Sequence, residues 1–373
     1  MPRKESKMST EPPKKTMKAV VFDGPKKVSV QERPIPELQD PRDIIVKVQM
    51  TALCGSELHT YRGREASTPG FIMGHEFTGT AHAVGSAVKT IKVGDKIVAP
   101  FTVSCGTCFY CAHGFSSRCA SSLLFGSPKL DGGQAEYVRI PLADGTAVVA
   151  PPEIEDERAL VLMADIFPTG YFGAKNAFGL LPGDLKAEEA TVVVVGCGPV
   201  GLCAVVSALE YKPKHLFAVD CVESRLQLAK ELGAEPLNFA EVEKGGVGLE
   251  GMVKRVKEVT EGRGADAVVE VVGSRPALKT AYELLRPFGV ISSIGVQGAY
   301  DLPWTGNDGY NKNLRVQMGR CPVRSIFPES LEVMARNQHK FGFMFDKIMP
   351  LAEAVEGYNL FDNMKVQKVI FTP

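Results

Sequence analysis

The chain has no excess charge of either sign, since 43 Lys and Arg balance 43 Asp and Glu. A basic excess is what draws a protein to nucleic acid or to an anionic membrane, so composition favours neither partner. No apolar run reaches the ~18 residues that a membrane-spanning helix needs. The first sixteen residues, MPRKESKMSTEPPKKT, lack the apolar centre of a secretory signal, and Glu5 and Glu11 break up the basic face of a mitochondrial one. They are expected to form a disordered tail, with the chain in the cytoplasm. Thiols stay reduced there, so clustered cysteines point to metal more than to disulfides.

What is present is ordinary globular material. Hydrophobic residues make up 45% and charged ones 23% of 373 residues, enough chain for two domains at ~100–200 residues each. Residues 17–167 read as β-rich. MKAVVF opens with a strand, and DIIVKVQMTALC alternates, with Ile44, Val46, Val48 and Met50 on one face. EFTGTAHAVG, VGDKIVAPF and GGQAEYVRI follow as short strands punctuated by glycine, the pattern of a barrel or sandwich. The character then changes. Over 168–322 buried strands (TVVVV, HLFAVD, ADAVVEVVG, GVISSIG) alternate with helices, among them RPALKTAYELLRPF. That alternation specifies βαβ units and a parallel sheet covered on both faces. Residues 323–373 end in one helix and one strand and are expected to return to the first unit.

GCGPVG, comprising Gly196, Cys197, Gly198, Pro199, Val200 and Gly201, follows TVVVV and opens a helix. In that setting the motif reads as a dinucleotide turn. Gly196 permits the tight turn, Gly198 the approach of a pyrophosphate, and Gly201 close packing of helix on strand, with the helix N-terminus facing the phosphates. Asp220 ends the next strand. An acid there accepts from ribose hydroxyls and repels a 2′-phosphate, favouring NAD over NADP, while Arg225 is near enough to reach adenine or a phosphate.

SCGTCFYCAHGFSSRC places Cys105, Cys108, Cys111 and Cys119 in sixteen positions. A closed tetrahedral zinc site uses short C-x2-C steps of this kind and does no chemistry itself. An iron–sulfur cluster, a regulatory disulfide and unrelated buried thiols stay open alternatives. A second constellation lies upstream and downstream: Cys54 and His59 in CGSELH with Ser56 between them, His75 and Glu76 in GHE, and Asp165 where the β-rich part ends. A catalytic zinc takes three protein ligands and keeps one position open. Cys54, His75 and Asp165 can supply them, though each residue alone reads equally well as a core thiol, a satisfied imidazole or a helix cap.

These residues and the order GHEFTGTAHAVG, VGDKIVAP, four-cysteine lobe, GGQAEYV, VVVVGCGPVGL resemble the zinc-dependent medium-chain alcohol dehydrogenases from Met17 to Pro373. The resemblance implies an α/β fold with a GroES-like catalytic domain and a Rossmann-type domain. It implies two zinc ions per chain and NAD, with Glu76 as an acid that can exchange into the catalytic zinc site. Asp165 falls where liver-type enzymes carry cysteine, and CGSELHTYRG and ADIFPTGYFGA look closest to the formaldehyde-dehydrogenase-like, Asp-ligand branch. By the same resemblance Ser56 takes the substrate proton, a relay through the nicotinamide ribose carries it to His59 and out to solvent, and the chain forms a homodimer or homotetramer. The substrate is expected to be a small alcohol, aldehyde or ketone. Val272, Gly273 and Gly295 follow strands of the second unit and are expected at the nicotinamide. Phe71, Phe101, Phe125 and Trp304 are candidates for an apolar pocket. Two other functions fit the same motifs: reduction of an activated C=C or C=N bond, and non-catalytic redox sensing through a bound dinucleotide.

Overall fold

The computed structural model describes residues 16–298 and 301–373. The expected N-terminal tail lies outside them except for Thr16, which opens the first strand, Thr16–Gly24.

Two large sheets organise the chain. One has six strands, all parallel, running edge to edge as Glu235–Asn238, His215–Asp220, Thr191–Val195, Ala265–Glu270, Leu285–Ser293 and Arg315–Met318. In chain order that is the doubly wound arrangement 3-2-1-4-5-6, whose direction reverses between Thr191–Val195 and Ala265–Glu270. Every residue of those two strands is buried, because apolar runs without alternation suit a sheet with helices on both faces.

Two edge strands, Glu235–Asn238 and Arg315–Met318, have no such run and escape sequence reading; all four residues of the latter are exposed. The helix expected over RPALKTAYELLRPF stops at Leu284, and Leu285 already belongs to the strand Leu285–Ser293. Pro287 is the physical reason, since a helix interior cannot use a residue without an N–H.

The other sheet has seven strands. Ile44–Leu53 is central, pairing with Glu76–Val84, with Tyr137–Ile140 and with the last strand of the chain, Val369–Thr372. The helix Ile166–Gly179 joins the two sheets. One continuous apolar cluster holds Ala52, Cys54 and Phe101, several residues of that helix, Val192 and Val205 of the second sheet region, and Ile370. At Gly170 a Cβ would sit 2.6 Å from the Ala204 nitrogen, so this helix packs backbone to backbone on Pro199–Leu209. No helix among the described residues is long and apolar enough to cross a membrane.

Candidate functional site

Cys54 follows directly on the strand Ile44–Leu53, and His75 precedes the strand Glu76–Val84 that pairs with it. Pairing of these two strands is therefore what brings thiol and imidazole together. Gly74 makes the approach possible: its φ is +101° and a Cβ there would lie 2.5 Å from the Gln134 nitrogen. Asp165 stands at the start of the helix Ile166–Gly179 but does not cap it. Its Oδ1 accepts from Thr169 Oγ1 at 2.7 Å. Its Oδ2 lies 3.3 Å from His75 Nε2 and 3.5 Å from Cys54 Sγ.

One ligand atom each from Cys54, His75, Glu76 and Asp165 falls within 4.8 Å of all the others. Zinc–nitrogen bonds of ~2.0–2.1 Å and zinc–sulfur bonds of ~2.3 Å set tetrahedral ligand atoms about 3.3–3.7 Å apart. The 3.3 and 3.5 Å from Asp165 Oδ2 to His75 Nε2 and Cys54 Sγ match. All four residues are buried, and Glu76 Oε1 has no hydrogen-bond partner among the described residues. A buried carboxylate oxygen without a donor is what a cation would satisfy, so the residues fit zinc.

The titrations agree in direction. Burial, then Glu76 and Asp165, push the Cys54 thiol up to about 11 against an opposing pull from His75. Burial lowers the His75 pKa, but the Cys54 thiolate, Glu57 and the Asp165 hydrogen bond overcome it and raise it well above the usual value. Both shifts point the same way: the cluster favours a positive charge at its centre, as a metal ion would supply.

Behind the ligands lie residues that sequence reading missed. Glu57, buried, accepts from the Cys54 nitrogen through Oε2 and from the Gly74 nitrogen through Oε1, both at 2.8 Å. One carboxylate thus ties the two ligand-bearing loops together. Gln134 Nε2 donates to it at 3.3 Å, and Gln134 Oε1 accepts from the Tyr358 hydroxyl at 2.9 Å. Lys368, fully buried in the C-terminal segment, donates to Glu76 Oε2 at 2.6 Å. Ser56 Oγ borders the cluster, 3.2 Å from Cys54 Sγ and 3.3 Å from His75 Nε2. His59 is half-buried on the helix Glu57–Tyr61 and its side chain has no hydrogen-bond partner among the described residues. Burial lowers its pKa below 6.5, with Arg64 and Arg62 adding to the shift and Glu65 opposing it.

The four clustered cysteines form the other group whose ligand atoms share one 4.8 Å neighbourhood. All are free thiols, so the disulfide alternative is not formed. Backbone N–H groups point at the sulfurs: Cys105 to Cys119 at 3.2 Å, Cys108 to Cys105 at 3.3 Å, and Ser121 to Cys119 at 3.3 Å. Donors aimed at sulfur favour a thiolate, but at Cys111 and Cys119 burial outweighs them and raises the thiol pKa. At Cys105 desolvation works against ionisation, but the N–H groups of Thr107 and Cys108 outweigh it and bring the pKa to about 6.

On the second sheet, Gly196 has φ +99° and turns the chain out of the strand. No atom lies within 4 Å of a Cβ built at Gly198, so its outer side is open for a ligand. Gly201 departs from expectation: its missing Cβ spares a collision with the Gly196 carbonyl, so the close contact is helix to turn more than helix to strand. Pro199 opens the helix and Val200 packs against the main core. Asp220 has a duty the motif did not reveal. Its Oδ2 accepts from the Cys197 nitrogen at 2.8 Å, and its Oδ1 from the nitrogens of Cys221 and Val222 at 2.7 and 3.0 Å. It thereby fastens the glycine turn to the next strand, with Arg225 Nη1 3.9 Å away. Val272, Gly273 and Gly295 sit just beyond strand ends on the same side of the sheet.

The candidate pocket aromatics separate. Phe101 alone is near the metal-ligand cluster, its ring edge-on to His75 at 6.1 Å. Phe71 packs on Phe22, Phe125 on Phe77, and Trp304 on Tyr282, each within a core cluster elsewhere. What joins metal cluster and glycine turn is a pair of consecutive residues: Gln367 Nε2 donates to the Cys197 carbonyl at 3.3 Å, while Lys368 reaches Glu76.

Comparison with known proteins follows the two halves. Residues 40–151 match the family described as alcohol dehydrogenase GroES-like domain, and residues 199–336 match the family described as zinc-binding dehydrogenase. Zinc-type alcohol dehydrogenase B of Aspergillus flavus is 63% identical over 366 residues, 98% of this chain and 82% of its own length. The medium chain reductase/dehydrogenase ucsI of an Acremonium species is 58% identical over 295 residues, 79% of this chain and 98% of its own. The solved structure of alcohol dehydrogenase TADH from Thermus sp. ATN1 is 35% identical with a TM-score of 0.85, covering 95% of this chain and 99% of that one. Two further solved structures at 25% identity hold NADH in one case and NADP in the other.

Proposed function

The chain belongs to the zinc-dependent medium-chain alcohol dehydrogenase family, and on that premise we propose that it transfers hydride between an alcohol or carbonyl substrate and NAD(H). The coarser facts come with the family: a GroES-like unit and a Rossmann-type unit, oxidoreductase activity, zinc and a nicotinamide cofactor. The observation that carries the finer reading is the Gln367–Lys368 pair, which sets a fitting zinc-ligand cluster beside a dinucleotide turn. Asp220 beyond that turn supports NAD over NADP.

Cys54, His75 and Asp165 would hold the catalytic zinc, with Glu76 in reserve, and Cys105, Cys108, Cys111 and Cys119 a structural one. When bound, zinc supplies Lewis-acid polarisation of the substrate oxygen and the nicotinamide supplies the hydride acceptor or donor. Ser56 Oγ, adjoining both Cys54 and His75, receives the substrate proton. His59, three positions on and half-buried, passes it to water, its lowered pKa keeping it neutral and receptive near pH 7. Phe101 and the buried walls exclude solvent from the reacting atoms. We also read the exposed edge Arg315–Met318 as the contact through which copies assemble into a homodimer or homotetramer.

A second reading, reduction of an activated C=C or C=N bond, is favoured by the similarity to the Acremonium relative, which is named a reductase/dehydrogenase. Incubation with NAD and a panel of primary and secondary alcohols tests the first reading by NADH formation. NADH consumption with enones reduced at their C=C bond and with imines, together with no NADH formation from any alcohol and no NADH consumption with saturated aldehydes or ketones, would replace it by the second.

A further inference from the structure

We propose that Glu270 is a positioning residue that holds together the two loops receiving the nicotinamide half of the cofactor, an assignment that rests on the dinucleotide reading above. Glu270 ends the strand Ala265–Glu270, next to the reversal point of the sheet, and is completely buried. No cation pairs with it among the described residues. Its charge is met instead by four donors from two loops. Oε1 accepts from the backbone nitrogens of Val272 and Gly273 at 2.8 and 2.7 Å. Oε2 accepts from Ser293 Oγ at 2.7 Å and from Gln297 Nε2 at 3.2 Å. The Glu270 carbonyl adds a further tie, accepting from the Ile294 nitrogen at 2.9 Å.

These loops follow two adjacent parallel strands, at the carboxyl ends where doubly wound sheets bind ligands. They touch each other directly. A Cβ at Gly273 would strike the Val296 carbonyl, and one at Gly295 would strike the Gly273 nitrogen. Val272 and Val296 nevertheless stay 47% and 45% exposed, two apolar side chains turned outward beyond the buried ends of their strands. Val272 also leans over the glycine turn, since a Cβ at Gly196 would meet its Cγ2 at 2.7 Å. The pair forms an apolar ledge beside the turn, suited to the flat face of an uncharged or delocalised ring.

An ordinary loop clasp does not call for a carboxylate. Burying an unpaired anion is costly, and a neutral amide could join two loops. A carboxylate differs in being acceptor only, so every group facing it must donate. The Gln297 amide is thereby oriented: its nitrogen donates to Glu270 and, at 3.0 Å, to Ser293 Oγ. Its carbonyl oxygen has no partner among the described residues and, on this proposal, is left to accept from a carboxamide N–H.

The test compares the whole dinucleotide with its adenine half. For Glu270→Gln the dissociation constant of NADH, followed by fluorescence titration, is expected to rise about tenfold or more, since charge-assisted hydrogen bonds are being lost. That of AMP, which does not reach the two loops, is expected to stay within about twofold on the same reasoning. Ser293→Ala removes one donor and is expected to shift NADH in the same direction by a smaller factor; it serves if Glu270→Gln does not fold. Equal weakening of NADH and AMP, or no change in either, would overturn the assignment. Wild-type protein that binds AMP but gains nothing from the nicotinamide half would overturn it too. Wild-type protein that binds neither would remove the dinucleotide reading itself.

Discussion

Lysine and glutamate with zero exposure are uncommon, and here they meet behind a cluster of metal-ligating side chains. Lys368 occupies one oxygen of Glu76 and leaves the other facing that cluster. Removing one member of a buried ion pair strands the other, which typically costs about 3–5 kcal/mol. Lys368→Met is therefore expected to lose stability on that scale in denaturant unfolding, and the double variant Lys368→Met, Glu76→Gln to recover much of it. Equal losses in the two would mean the pair is not coupled. A pH effect belongs to His59. Its folded-state pKa is lowered by burial, so the neutral form is favoured in the native protein, and protonation costs stability as pH falls below 6.5. Alcohol oxidation through a neutral His59 is expected to hold level through pH 6.5 and decline only beneath it. His59→Asn should erase that acid limb from the kcat/KM profile, and its persistence would remove His59 from the proton path.

The glycine turn with the strand end it is fastened to is the element to which the proposed reading gives the choice of cofactor. Asp220 is a strut in the structure and a selector on that reading, so Asp220→Ala alone mixes two effects. Asp220→Asn keeps an acceptor and drops the charge. It is expected to narrow the preference for NAD over NADP by about tenfold, the scale of one charge-assisted contact, with both affinities measured by titration. An unchanged ratio would show that Asp220 does not read the ribose. Elements built from local signals were legible in the sequence: the all-buried strand TVVVV, the turn that follows it, and the C-x2-C steps of the lobe. The edge strands Glu235–Asn238 and Arg315–Met318 were not, because a strand paired on one side and open to water on the other carries no apolar run to notice.

At the scale of the whole molecule, the two metal-ligand clusters among the described residues are proposed to serve two purposes. Metal analysis is expected to find two zinc ions per chain. Cys54→Ser should lose one together with turnover, while the fold survives. Cys111→Ala should lose the other and lower the thermal midpoint. Full zinc content in Cys54→Ser would refute its role as a ligand. Sequence alone determined the parallel βαβ half, the presence of a glycine turn between strand and helix, and which cysteines, histidine and acids to suspect, because periodicity, glycine conformation and close ligand spacing are properties of a few neighbouring residues. Only the tertiary structure decided that Asp165 turns toward His75 and leaves its helix uncapped, that Phe101 and not Phe71, Phe125 or Trp304 stands at the metal cluster, and that Glu57 and Lys368 support it. Those choices depend on contacts between segments far apart in the chain, with Lys368 and Glu76 separated by 292 positions. No pattern within either segment foretells the partner that folding brings to it.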